Sequence, residues 1–293
     1  MKKLFLIIAV FGLSLNTFAQ FGGEYDLQLR TRYTGGDGSD ASFYSMGFDY
    51  NLKTYMFKQG QKGILKIGIN YSYAHLSFSD NIQTDVADPL SDFHSTGLNL
   101  MFIKQINQKW SFIGFLNPQL SSNFTGKLNW QDFYLNGAAF WNYSRKPNNR
   151  LTFGLAYSNS MGIPFPVPII SYWKKFNDSW EMNLGFPRTN LSHNFNEKSQ
   201  FTIYTEFDGY NANISVELPS TFLDPELETS SINYIDIISG LEYTYKTQKF
   251  NFSINAGYTL DRQFQLLNKT FDEGYKFDMK NNFSFKVGVG FNL

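Results

Sequence analysis

The sequence predicts an all-β protein, a transmembrane antiparallel up-and-down β-barrel of about fourteen strands, with twelve as the alternative count. Three observations carry that expectation. Apolar and polar residues alternate along most of the chain, which puts one set on each face of a strand. The alternating runs are about 9 to 14 residues long, near the ~9 to 11 of a tilted spanning strand and longer than the ~5 to 6 of soluble sheets. Outside the N-terminus no apolar run is long enough for a spanning helix. A soluble sandwich also alternates, but its core favours Val, Ile and Leu throughout. Here the apolar face carries Tyr, Trp and Phe near strand ends, as a lipid-interface girdle does, and the other face carries Gly, Ser, Asn and charges at mid-strand.

Composition agrees. With 42% hydrophobic, 18% aromatic and 17% charged residues and a mean hydropathy of −0.31, the 293-residue chain is neither a bundle of membrane helices nor disordered. Lys plus Arg and Asp plus Glu are 25 each, so the basic footprint of a nucleic-acid binder is missing. No Cys means no disulfides, thiolate metal sites or thiol nucleophiles.

Residues 1–19 have the order of a secretory signal peptide: Lys2 and Lys3, the apolar run Leu4 to Leu13, then Thr17-Phe18-Ala19 before Gln20. The run is too short for a membrane anchor, and no Cys follows for lipid attachment. Residues 20–293 then form a single barrel domain, with no N-terminal plug expected before the first strand.

That strand sets Tyr25, Leu27, Leu29, Thr31 and Tyr33 against Asp26, Gln28, Arg30 and Arg32. The second sets Tyr44, Met46, Phe48, Tyr50 and Leu52 against Ser45, Gly47, Asp49 and Asn51, and the third sets Leu65, Ile67, Ile69, Tyr71 and Tyr73 against Lys66, Gly68, Asn70 and Ser72. Near the C-terminus Phe250, Phe252, Ile254, Ala256, Tyr258 and Leu260 oppose Asn251, Ser253, Asn255, Gly257, Thr259 and Asp261. Connections sort into short turns (104–109, 145–150, 174–179, 196–199, 246–249) and long loops (79–92, 120–131, 218–232, 262–280). Outer-membrane barrels keep short turns periplasmic, which gives fourteen strands with both termini periplasmic. Parity flips at Asp208-Gly209, from Phe201, Ile203 and Phe207 to Tyr210, Ala212 and Ile214. A Gly bulge or an Asp-Gly hairpin accounts for such a flip, and the bulge keeps the turns on their proper sides. Pro164, Pro166 and Pro168 cannot donate to a ladder and belong at a loop-to-strand entry.

The final strand, with Phe283, Phe285, Val287, Val289, Phe291 and Leu293 of one parity, resembles the assembly signal of bacterial outer-membrane barrels, with Leu where Phe is commonest. Pro166-Val167-Pro168, Tyr172, Trp180 and Leu184-Gly185-Phe186-Pro187 resemble an uncharacterised family of Gram-negative outer-membrane β-barrel proteins, a domain of unknown function. The resemblance implies a location in the outer membrane over nearly the whole mature chain and no activity. Its implied partners are membrane lipid, the secretion machinery through the signal peptide, and the barrel-assembly machinery through the last strand.

No cofactor motif appears. His75 and His94 flank a loop containing Asp80, Asp85, Asp88 and Asp92, the weak candidates for a divalent cation; a solvated acidic loop is the simpler reading. Parity puts His75, Ser77, His94 and Thr96 on the lipid side near the outer rim, where a lipid hydrolase would need them, although no third orienting residue is evident. Ser192-His193 cannot act as a pair, because strand neighbours point to opposite faces. Gly35 to Asp40 reads as a loop rather than a calcium repeat, and the pairs Asp224/Glu226 and Asp272/Glu273 as solvation.

Lumen charges of both signs are expected, led by Arg30, Arg32, Asp49 and Lys66, with Asp26, Glu181, Glu206, Glu242, Asp261 and Lys286. They suit either a water-filled pore or a lumen closed by ion pairs. About fourteen strands enclose more space than side chains alone fill, so passage of small solutes is the expected function, with a hydrolase or a non-conducting barrel as alternatives.

Overall fold

The computed structural model describes residues 25–36, 41–57, 63–79, 87–158, 165–215, 229–268 and 273–293. The signal segment, Asp37 to Asp40, Asp80, Asp85, Asp224, Glu226 and Asp272 lie outside them. The strands are β1 (Leu27–Thr34), β2 (Ala41–Phe57), β3 (Gly63–Phe78), β4 (Asp92–Gln105), β5 (Trp110–Ser122), β6 (Phe133–Tyr143), β7 (Asn149–Tyr157), β8 (Val167–Lys175), β9 (Trp180–Gly185), β10 (Arg188–Asn194), β11 (Ser199–Asn213), β12 (Thr229–Lys246), β13 (Phe250–Asn268), β14 (Glu273–Phe277) and β15 (Phe283–Phe291). Each pairs antiparallel with its neighbour, and β1 with β15 and β15 with β13 close the ring. Fourteen strands make the barrel. The fifteenth, β14, pairs only with the loop-end part of β13, within the segment expected to be a loop.

The two faces sort as the alternation requires. Leu29, Met46, Leu98, Leu116, Leu155, Ile170, Ile203, Leu241, Ile254 and Phe285 are exposed on the outside, although each is large and apolar. Their lumen-facing neighbours Arg32, Asn117, Asn136, Thr202 and Ser284 are buried. In water such a belt would be a large aggregation surface; a bilayer removes that cost. Aromatic rings gather at the short-turn end, where Trp110 meets Tyr143 at 4.9 Å and Phe112 meets Trp141 at 5.2 Å.

Three local expectations change. Across Asp208-Gly209, β11 keeps an unbroken register with β12, so neither bulge nor hairpin is present. The register slips instead in β13, where Leu260 is the extra residue, turning Asp261 outward and Arg262 inward. Tyr25 precedes β1 and is buried against Gly290 rather than facing lipid.

Wall height is uneven, and this shapes the lumen. β9 has 6 residues and β10 has 7, about 20 Å of strand at ~3.3 Å per residue. Tilted, that is less than the ~25 Å apolar band. Above their turn, the edges of β8 and β11 have no strand neighbour there among the described residues. Unpaired backbone at membrane depth is costly, and each edge answers it differently. On β8, the Ile170 carbonyl accepts from Phe186 N–H at 3.1 Å. Pro168, on the same hydrogen-bonding side, has no donor to leave unpaired. On β11, Phe207 N–H donates to the Pro187 carbonyl at 2.9 Å, and the strand then crosses the lumen to β5.

There Asn213 pairs in parallel with Ser122. Ser121 Oγ donates to the Asn211 carbonyl at 3.1 Å, Ser122 Oγ to the Asn213 carbonyl at 3.2 Å, and Asn123 N–H to the same carbonyl at 3.3 Å. The seam closes a smaller ring of β1 to β5, β11 to β13 and β15 at the loop end. A ring near eight strands is just wide enough for side chains to fill. Side chains do fill it: Phe43, Leu76, Phe93, Ile214, Ile232, Tyr234, Phe264, Leu266 and Phe277 form one buried core inside the barrel, with Phe43 and Tyr234 stacked at 4.3 Å.

Candidate functional site

Below that core the lumen widens to fourteen strands and holds two polar cavities. The upper, of about 400 Å³, has an amide wall and a charged wall. On the amide side, Asn117 Nδ2 shares its two N–H groups among Asn70 Oδ1, Asn99 Oδ1 and the Leu98 carbonyl, each at 2.9 Å, and Asn136 Nδ2 donates to Asn117 Oδ1 at 3.0 Å. Asn99 Nδ2 reaches Asp49 at 3.1 Å, and Asp49 also accepts from Arg30. Neutral amides that satisfy one another leave a rigid, uncharged surface.

The opposite wall is an ion-pair chain across the lumen. Arg32 bridges Asp208, at 3.1 Å, and Asp236. Lys286 joins Asp208, at 3.0 Å, to Glu206, and Arg188 joins Glu206, at 3.0 Å, to Glu242, at 3.1 Å. Arg32 also lies over the Phe43 and Tyr234 rings, at 5.3 and 5.8 Å, where the charged belt meets the apolar core. Arg262 donates to the Gly35 carbonyl at 2.8 Å and the Lys280 carbonyl at 2.9 Å, tying β13 to the loop-end rim. The lower cavity, about 370 Å³, lies toward the chain termini and contains Arg30, Arg150, Glu181 and Arg188 among its lining.

Of the residues singled out in the sequence, Arg30, Arg32 and Asp49 line the upper cavity. Lys66 takes the inward register opposite Met101 and lines neither cavity. Arg150, Arg188, Asp208 and Asp236 were missed. Arg150 follows a turn but shares the inward parity of Thr152 and Ala156, so extending the alternation one step finds it.

The rim residues sit outside, as parity requires. His75 Nδ1 donates to Asp92 Oδ1 at 2.8 Å, Tyr73 Oη donates to the same carboxylate, and Tyr71 Oη lies 2.8 Å from His94 Nδ1. Asp92 thus supplies an orienting group that the sequence did not reveal. Ser77 is exposed, and no hydrogen bond joins it to either histidine among the described residues. Asp88 lies in a one-turn 3-10 segment, and among the described residues no three His, Asp or Glu groups are placed to hold a metal ion. Ser192 faces inward, bonded to Thr202 at 2.9 Å, while His193 packs on Trp180 outside.

A closed antiparallel barrel with an apolar exterior and a polar lumen is a transmembrane β-barrel. The chain belongs to the family described as Domain of unknown function (DUF6268), whose model matches residues 17–293. Solved structures with a similar course of the chain include a Pseudomonas aeruginosa FadL homologue, at 9% identity over 91% of this chain and 90% of that one, TM-score 0.42. Others are the Pseudomonas putida toluene transporter TodX, at 11% identity over 96% and 93%, TM-score 0.37, and LpxR from Salmonella typhimurium, at 8% identity over 90% and 100%, TM-score 0.35. No curated protein matches the sequence.

Proposed function

We propose that the protein is an outer-membrane barrel of a Gram-negative bacterium, with both chain ends periplasmic, whose lumen is a polar vestibule for small solutes rather than a through-going pore. The supporting observation is the core inside the loop end. Its large side chains are each worth about 1.5–3 kcal/mol of burial, so dispersing even half of them costs on the order of 10 kcal/mol, more than a thermal fluctuation supplies. The sequence alone favours an open pore; the β5–β11 seam and the Arg32 bridge favour the non-conducting alternative. Planar-bilayer recording tests this. Inserted protein is expected to give no conductance steps, and sustained steps from the unmodified protein overturn the reading.

One observation favours a second reading. The His75–Asp92 pair at the lipid-facing rim, two residues from Ser77, has the base-and-orienter half of a hydrolytic triad. Purified protein would then release fatty acid from outer-leaflet lipid, and His75→Ala or His94→Ala would abolish the release. Unchanged or absent release removes it.

A further inference from the structure

The lower cavity contains a cation with no hydrogen-bonding partner among the described residues. Arg150 on β7 is 7% exposed, and its guanidinium lies over the Trp173 ring at 5.3 Å. Its Nε is buried with no hydrogen-bond partner, and no hydrogen bond from any of its nitrogens is found among the described residues. Stacking on an indole attracts the charge but satisfies no N–H. Only Nε is sealed; the terminal nitrogens of the fork are not, and they open on the cavity, where an acceptor from outside the chain can reach them.

The surroundings say which kind. Arg150, Trp173 and Asn183 stand on one rung of β7, β8 and β9, and Asn190 continues it on β10. The Asn183 Oδ1 atom is also buried without a partner, while its Nδ2 donates to the Arg188 carbonyl at 2.7 Å. Glu181, the nearest carboxylate, does not cap the fork: its oxygens accept from Trp173 Nε1 at 3.3 Å and Gln200 Nε2 at 3.0 Å. Of the six cations that line the cavity, Arg30, Lys175 and Arg188 are already paired with carboxylates, whereas Arg150 makes no ion pair among the described residues and presents its charge to the cavity.

We infer that Arg150 is the anchor of a binding site for a small oxyanion, a carboxylate or a phosphate, held by the guanidinium edge that Trp173 leaves free. A flat fork stacked on one face offers paired donors along its edge, the geometry that both anions accept. This rests on the vestibule reading above and names its solute class.

Calorimetric titration of the full refolded barrel with succinate, 2-hydroxybutyrate, inorganic phosphate and glycerol phosphate at low ionic strength tests the site. At least one is expected to bind, and Arg150→Met should weaken it tenfold or more. The better class assigns carboxylate or phosphate. Arg150→Met should also unfold at higher urea than the parent in anion-free buffer, because a buried unpaired charge has gone, while added anion stabilises the parent alone. If the Met variant fails to fold, Arg150→Lys, which keeps the charge and loses the fork, should bind less tightly. Binding of none of the four anions, or equal binding by parent and variants, overturns the inference. Bilayer silence with no anion binding would leave the closed lumen standing and remove only the site.

Discussion

Replacing Arg32 by Met, alone and with Asp236→Asn, asks whether the charged belt holds the barrel closed or merely tolerates its own burial. Arg32 is 7% exposed and Asp236 is fully buried. Without the guanidinium, Asp236 keeps one hydrogen bond, from Tyr234 Oη at 3.0 Å, and its other oxygen has none. Asp208 is less affected, because Lys286 still reaches it at 3.0 Å. The single change therefore leaves one uncompensated buried carboxylate, a loss of about 3–5 kcal/mol. Converting that carboxylate to an amide removes the charge, so Arg32→Met/Asp236→Asn should recover roughly half the loss, a coupling of about 2 kcal/mol. Equilibrium urea unfolding in lipid vesicles, followed by tryptophan fluorescence, gives the four stabilities of the parent, Arg32→Met, Asp236→Asn and the double variant. Additive losses, with the double variant less stable than either single one, would refute the reasoning.

Two further outcomes follow from backbone geometry. Deleting Leu260 makes the ladder regular, because Thr259 and Asp261 then follow one another opposite Ile238 and Ile237; Arg262, Phe264 and Leu266 keep the inward face, so the variant should still reach the heat-resistant folded band seen on electrophoresis, and loss of that band would contradict the register. At Gly185 a Cβ would lie 2.3 Å from the Ile170 carbonyl oxygen and 2.4 Å from Ser171 Cβ, so Gly185→Ala should lower stability by about 1–3 kcal/mol in the same urea assay, and a neutral effect would contradict the close approach of β9 to β8.

The wall of the barrel was legible in the sequence because alternation is a local property. Leu29 beside Arg30, or Phe48 beside Asp49, declares two faces without any long-range information, and their spacing sets strand length. The contents of the lumen were less legible. Arg30, Arg32 and Asp49 could be placed inside by parity, but their partners lie on other strands: Arg32 meets Asp208 and Asp236, which are 176 and 204 residues away. The seam between Ser121, Ser122 and Asn123 and the end of β11 has no local signature at all. Serines and asparagines at a strand end read as rim, and only the shortness of β9 and β10 hints that β11 must find another neighbour. Asp92 was visible as an acidic loop residue, but its role beside His75 depends on the β3–β4 register.

Two strands explain why the loop-end core escaped a parity reading, and they do so in opposite ways. In β11 the sequence changes parity after Phe207 while the backbone register stays fixed, so Tyr210, Ala212 and Ile214 come to the inside. In β13 the even-numbered apolar series runs on from Leu260 to Phe264 and Leu266 with no change of parity, and the backbone changes instead, through the bulge at Leu260. Parity reports which residues share a face, never whether that face meets lipid or lumen. An apolar face normally meets lipid because a wide lumen is wet. Once β11 crosses to β5, the enclosed ring is narrow enough to be filled by side chains, and an apolar interior becomes the stable one. The short β9–β10 hairpin frees the edge of β11, and the crossing of β11 narrows the ring. The parity change in β11 and the bulge in β13 then supply the residues that fill it.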